Sequence, residues 1–461
     1  MRRVLAITWL TWKAAVRFRL FIVVAVLLLG AVVGLPLLIK DDGTARGFTQ
    51  IVLTYTLTTI TALLGLCTLW LACGTLARDI EECQMQVVAT KPIARWEIWL
   101  GKWLGIMSLN AVLLAVSGAA VYGLLMFRAG HLPADQQAVL RNEVLVARGS
   151  VKPANPDAEI ERRTEELFQE RLRKVRVEKA DLAEVRRQVR EQVKAAFQLV
   201  PPGYTRSWEL DLGLARRSLR DKPLILRIKF NSSDKSASGT FDGVWLVGVP
   251  QKTKLWRSDV LSFAPDTFHE IQLDPNLFDE NGILTVSFVN PNNSALLFPL
   301  DEGIEVLYPE GSFGLNFMRG MGIIFCWMAL LAAVGLAAAS FLSFPVAAFC
   351  ALAMLAIVFS TTTMSSAVEE GTIANYNAEK GTKGWSPVDV VVIPMFKAIL
   401  KVVGLAKDFS PIDSLSTGRS ITWSQLGLAV GQIVLLLGGI AAIFGIVVFT
   451  RRELATAQGT Q

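Results

Sequence analysis

The sequence predicts a polytopic α-helical membrane protein. It is expected to have six transmembrane helices and an external α+β domain, a charged helical stalk followed by an antiparallel, jelly-roll-like β-sandwich. Three observations predict this class. Of the 461 residues, 52% are apolar and only 19% charged, against roughly 25% charged in a soluble domain; the mean hydropathy is +0.43. No Asp, Glu, Lys or Arg occurs in 20–39, 47–77, 103–127, 320–368 or 421–450, and a hydrocarbon core needs about 20 apolar residues of helix. Between the third and fourth of these runs, charge and strand-like alternation return. A simple soluble globule, a disordered chain and a collagenous chain are excluded. The net charge of +6 is modest and much of it flanks the apolar runs, so no basic face exists for nucleic acid.

The elements follow in order. Leu5, Trp9, Trp12 and Val16 recur at helical spacing beside basic residues, which predicts an interfacial helix over 1–19. Span one is 20–39, with Pro36 near its end; spans two and three lie within 47–77 and 103–127. The run 320–368 is too long for one crossing. Ser343-Phe344-Pro345 divides it into spans four and five, because proline ends a helix and restricts the residue before it. Span six lies within 421–450. The first apolar run exceeds the 7–15 residues of a signal-peptide core, so an uncleaved N-terminus is expected.

Six crossings put both termini on one side. Arg2, Arg3, Lys13, Arg17 and Arg19, then Arg78, Lys91, Arg95 and Lys102, then Arg451 and Arg452 all fall on that side, and the positive-inside rule makes it cytoplasmic. Residues 128–319 are then external. The expected division is 1–127 (interfacial helix and spans one to three, with a cytoplasmic loop over 78–102), 128–204 (helical stalk), 205–315 (β-sandwich) and 316–461 (spans four to six).

The stalk is read from dense alternating charge over 156–194 and from the stripe Leu182, Val185, Val189, Val193 and Phe197. Two helices are predicted, broken near 177–181, with i,i+4 ion pairs on their solvated faces. Pro201-Pro202-Gly203 ends them. Period-two runs over 224–230, 243–249, 268–273, 283–289 and 303–307 then predict strands. The breaks are Asn231-Ser232-Ser233-Asp234, Asp274-Pro275-Asn276, Glu280-Asn281-Gly282 and Asn290-Pro291-Asn292-Asn293. Trp208, Trp245 and Trp256 either stack on a sugar ring or fill the core of such a sandwich.

Little in the chain points to chemistry. His131 and His269 have no Cys neighbour or HxxxH spacing, so no metal site is expected. There is no GxSxG elbow and no phosphate-binding GxxxxGK[ST] loop. Glu369-Glu370 reads as solvated charge at the end of span five. Cys67, Cys73, Cys83, Cys326 and Cys350 show no CxxC spacing and read as small packing residues. The chain is therefore expected not to be an enzyme by itself and to carry no cofactor. Its spans lack the ionisable groups of an ion-driven carrier, so energy must come from a partner.

The stretch after span two, Arg78-Asp79-Ile80-Glu81-Glu82 through Lys91-Pro92-Ile93-Ala94-Arg95-Trp96-Glu97 to Gly101-Lys102, resembles the cytoplasmic loop of ABC transporter permeases of the type-2 exporter family. An acidic start, a short helix, a Lys-Pro pair and an Arg/Glu segment ending in Gly-Lys occur there. Cys83-Gln84 departs from the Gly-Thr often found in the family. The ending Phe449-Thr450-Arg451-Arg452-Glu453-Leu454 is similar to the family's, and 386–411, with Val390–Phe396 followed by Lys397 and Lys401, matches where the family places short re-entrant helices. The resemblance covers 1–127 and 316–454, not the external domain.

It implies a permease in the bacterial plasma (inner) membrane, working with a cytoplasmic ABC ATPase dimer that holds ATP and Mg, beside a second permease copy or relative. Membrane lipids and periplasmic proteins are the other expected partners. Asp79, Glu81, Glu82, Val87, Val88, Lys91, Pro92, Arg95 and Glu97 would form the ATPase-coupling element. Two other readings stay open. One is a membrane-anchored binding or scaffold protein whose work is done by the sandwich. The other is an ATP-driven complex that transmits force to a periplasmic partner.

Overall fold

The computed structural model describes residues 2–17, 20–38, 44–85, 93–174, 182–232, 239–370, 376–377, 382–383, 388–407 and 409–452. The chain forms two compact units, Met1–Ala147 with Ser312–Gln461, and Arg148–Gly311.

The first unit is helical: α1 (Arg2–Arg17), α2 (Leu20–Leu38), α3 (Ala45–Glu81), α4 (Arg95–Gly130) and α5 (Ala134–Glu143) precede the second unit. After it come α8 (Phe313–Ala339), α9 (Phe344–Phe359), α10 (Thr361–Glu370), α11 (Asp389–Lys407), α12 (Pro411–Ser416) and α13 (Trp423–Arg451). Among the described residues, four helices are long and apolar enough to cross a membrane: Gly47–Glu81, Arg95–Gly130, Phe313–Ala339 and Trp423–Arg451. The protein is accordingly a membrane protein. Two bent pairs, Arg2–Arg17 with Ile22–Pro36 and Phe344–Phe359 with Thr361–Val368, pass the same test only when each pair is counted as one span.

The break after α8 falls where the proline predicts it. Ser343 is extended (φ −69°, ψ 159°) and Pro345 sits in the first turn of α9, where its missing N–H costs nothing. The fifth run is not one straight helix, because the chain bends by 52° between Phe359 and Thr361. Ser360 Oγ donates to Ala356 O at 2.9 Å and Thr361 Oγ1 to Val358 O at 2.9 Å. Hydroxyls that bond back to carbonyls in this way bend helices. In α13, Val430–Gly438 winds as a π-helix, a rare form that composition does not announce. The segment 386–411, expected to hold short re-entrant helices, contains the single 19-residue α11, with Pro394 inside it, and the six-residue α12 starts only at its last residue.

Small residues set the packing. A Cβ on Gly335 of α8 would lie 2.7 Å from Ala72 Cβ of α3, so these helices meet almost backbone to backbone, as membrane helices do. Leu57, Ile60, Leu64 and Leu76 of α3 share a core with Ile324, Met328, Ala332 and Leu336 of α8. Asn110 of α4, 3% exposed, donates to Thr68 Oγ1 of α3 at 2.8 Å. On α1, Leu5, Trp9 and Val16 are exposed, as an interfacial helix requires, whereas Ile7, Thr11 and Ala15 are buried. Gly101 and Gly105 of α4 receive this second face. A Cβ at either would come within 2.7 Å of Ile7 or 2.6 Å of Thr11.

The second unit begins at Arg148, so α5 and the end of α4 belong with the helices and not with the stalk. The stalk itself is a hairpin of α6 (Asp157–Lys174) and α7 (Leu182–Gln198); the expected break at 177–181 lies outside the described residues. Ile160, Val189 and Val193 are buried between the two helices. Their outer faces carry Arg162–Glu159 at 2.5 Å and Arg186–Glu161 at 2.8 Å.

The rest of the unit is antiparallel sheet. β1 (Val146–Val151), β12 (Ile304–Ser312), β4 (Leu224–Ile228) and β9 (His269–Leu273) are neighbours in that order. A second sheet runs β3 (Thr205–Asp211), β10 (Ile283–Val289), β6 (Phe241–Val247) and β7 (Trp256–Arg257), with β8 (Leu261–Phe263) also paired to β6, and a small third sheet orders β2 (Leu199–Val200), β11 (Leu296–Leu297) and β5 (Asn231–Ser232). Leu224, Leu226, Ile271 and Val306 of the first share one apolar cluster with Leu210, Trp245, Val286 and Phe288 of the second. The five expected strands exist, and 283–289 has the expected bounds. β1 and β3 were not expected: Arg148 is buried in β1 and Arg206 half-buried in β3, so charges break the apolar alternation there.

Candidate functional site: a polar junction of helix ends

Helix ends from six elements meet at one end of the helical unit. The last turn of α3 carries Arg78, Asp79 and Glu81, and the first turns of α4 carry Arg95, Glu97 and Lys102. The stretch expected as a loop is therefore helical at both its edges. Lys102 is 6% exposed. Its ammonium pairs with Asp79 Oδ2 at 2.5 Å and donates to Thr75 O at 2.7 Å, which ties α4 to α3. A buried ammonium without such partners would be strongly unfavourable. The spans as bounded in the sequence hold no charge, but the helices outrun those bounds and bring this pair into their packed length.

Several neighbouring charges finish helix ends. Glu81 Oε1 accepts the backbone N–H of Phe344 at 2.8 Å, at the start of α9. The Arg78 guanidinium lies 4.3 Å from the centre of the Phe344 ring. Arg95 Nη1 donates to the carbonyls of Phe449, Thr450 and Arg452, at 2.8, 2.9 and 2.6 Å. These are carbonyls at the end of α13, which lack helical partners and carry the negative end of the helix dipole. Arg452 Nη1 in turn donates to Ser340 O, just past α8, at 3.2 Å. Glu97 Oε2 accepts the N–H of Ala94 at 2.9 Å, capping α4, and lies 3.8 Å from Arg3 of α1.

Of the residues assigned to the coupling element, then, Asp79, Glu81, Arg95 and Glu97 face other helices of the same chain. Glu82 is exposed and accepts only from Gln84, at 2.6 Å, among the bonds seen. Val87, Val88, Lys91 and Pro92 lie outside the described residues. Cys83 is exposed in a left-handed turn (φ 59°), so it is not the packing residue expected; Cys73 and Cys326 are buried in helices. Among the described residues, no group of three or more His, Cys, Asp or Glu could hold a metal ion.

The three tryptophans do not form one platform. Trp245 is 1% exposed and touches Phe288 and Phe298, ring centres 4.7 and 6.0 Å away. Trp208 and Trp256 are half-buried against the same cluster. The chain matches no family model, no curated protein and no solved structure.

Sequence reasoning missed the Lys102–Asp79 pair, the inward role of Arg95 and the fit of α1 on Gly101 and Gly105. The Gly-x-x-x-Gly spacing at 101–105 is a signal that could have found the last of these.

Proposed function

We propose that the chain is the membrane-spanning permease subunit of an ATP-driven ABC exporter, moved by a separate cytoplasmic ATPase. In this reading the bent helix pairs are the first and fifth of six crossings, both termini are cytoplasmic, and the sheets form a sandwich on the opposite side. ATP and Mg belong to the partner, and this chain carries out no bond chemistry. The observation that supports the reading is the junction around Lys102 and Arg95. The exposed turn at Glu82 and the segment that follows it join α3 to α4, and the junction binds those two helices to α1, α8, α9 and α13. A push on this turn by a closing ATPase would move the helix ends together as a rigid body. A plain surface loop has no need of such a connection.

Purification of the tagged full-length chain in mild detergent, with native mass spectrometry, tests this. The proposal expects two permease chains with two ATPase chains, and ATP hydrolysis in the complex. A monomer with no hydrolysing partner would favour the scaffold reading.

A further inference from the structure

At the end of the helical unit away from this junction lies a cavity of about 160 Å³. It is bounded by Pro36 of α2, Phe48 and Val52 of α3, Leu124 and Arg128 of α4, and Leu140 of α5. The volume equals roughly five waters in the liquid. It is well below the roughly 300–1,000 Å³ of a pocket that encloses a whole small molecule, so an occupant would place only part of itself there.

The cavity lies at the edge of the apolar spans. Arg128 is the first charge after the run 103–127, and Phe48 is the second residue of the run 47–77. From Arg128 to Leu124, and from Phe48 to Val52, the walls run about one turn, roughly 5–6 Å, back toward the middle of the spans; they become largely apolar, with Thr49 and Gln136 as the polar exceptions. The charge sits at the outer rim. Arg128 is exposed, and its guanidinium carbon lies over the Phe48 ring, 3.8 Å from the ring centre. A cation over an aromatic face is attracted to it, which holds the Arg128 charge at the rim.

We infer that this cavity binds one membrane phospholipid, with Arg128 on the phosphate and the apolar walls on the first carbons of an acyl chain. A charged rim over a narrow, largely apolar slot, at headgroup depth between helices, matches an amphiphile with a phosphate at the boundary, whose glycerol and ester oxygens would lie near Thr49 and Gln136. Basic pockets between membrane helices take lipid headgroups in this way. The inference rests on the membrane reading of α3 and α4 and not on the transport proposal. A lipid would link α2, α3, α4 and α5 where the chain leaves the spans for the second unit.

The test uses the full-length protein, delipidated in detergent and titrated with phosphatidylglycerol, with dioleoylglycerol (which lacks the phosphate) or with inorganic phosphate, followed by native mass spectrometry. The parent should retain one phosphatidylglycerol per chain and neither of the other two. Arg128→Gln should weaken retention at least tenfold, and so should Ala129→Leu, which adds bulk to the cavity wall. If Ala129→Leu does not fold, Arg128→Gln and the dioleoylglycerol comparison still decide. Equal retention of dioleoylglycerol, retention of free phosphate alone, or an unchanged Arg128→Gln would each overturn the inference.

Discussion

Lys102 and Asp279 show how single residues carry local stability in the two units. Asp79→Ala would leave the Lys102 ammonium buried with only the Thr75 carbonyl. Breaking a buried pair typically costs about 3–5 kcal/mol, and the one-third exposure of the Asp79 side chain puts the expected loss at the lower end, about 3 kcal/mol. Thermal unfolding in detergent should show the loss, and adding Lys102→Met should recover much of it. No recovery would mean that the two residues act separately. In the sheet unit, the N–H of Ile283 holds the Asp279 carboxyl below the usual carboxylate range, helped by Lys252 and by the N–H of Asn281. The bonds are 2.8, 3.4 and 2.9 Å long. A lowered folded-state pKa contributes stability that is fully present above the unfolded value, about 3.9, and is lost as pH falls through the folded value. Near-UV circular dichroism of the full-length protein should therefore show Asp279→Ala less stable than the parent at neutral pH, with the two converging as pH falls below about 4 and the variant's acid dependence the shallower there.

At the scale of elements, α1 is held to α4 by the absence of side chains. Thr8 Oγ1 donates to Gly101 O at 3.1 Å and Trp12 Nε1 to Ser108 Oγ at 2.7 Å, contacts possible only because Gly101 and Gly105 let the backbones approach. Gly105→Ala should lower stability by about 1–3 kcal/mol, the usual penalty for overpacking. In a chain lacking 2–17 the same substitution should have no effect; an equal loss in both would place the strain elsewhere. Periodicity made the exposed stripe of α1 legible, because lipid-facing residues repeat every 3.6 positions. The buried face was not legible, since Ile7, Thr11 and Ala15 become a contact only against a particular neighbour. The π-helical turns of α13 were not legible either, because nothing in the apolar composition of Val430–Gly438 sets them apart.

For the whole molecule, the apolar runs and the proline break gave the helical unit, and period-two alternation gave most of the sheet unit. Pairing across distance was the part not written in the chain. Arg95 is 354 residues from Phe449, yet donates to its carbonyl. The same sequence distance turned several expected coupling residues into helix caps. Among the described residues of the turn, Glu82 is an exposed charge with no bond seen to another helix, so the coupling claim now rests on it and on the segment after it. Topology gives one check: a cysteine at Ser150 should react with an impermeant reagent in intact cells, whereas reaction only after permeabilisation would reverse the proposed orientation.

The most direct test of the coupling claim is ATP hydrolysis by the purified complex for Glu82→Lys beside the stalk control Glu165→Lys. Charged pairs across a desolvated interface typically cost about 2–5 kcal/mol to break, so Glu82→Lys should release the ATPase or lower coupled hydrolysis at least tenfold while the control matches the parent. Identical behaviour of both variants and the parent would contradict the assignment of this turn as the coupling element.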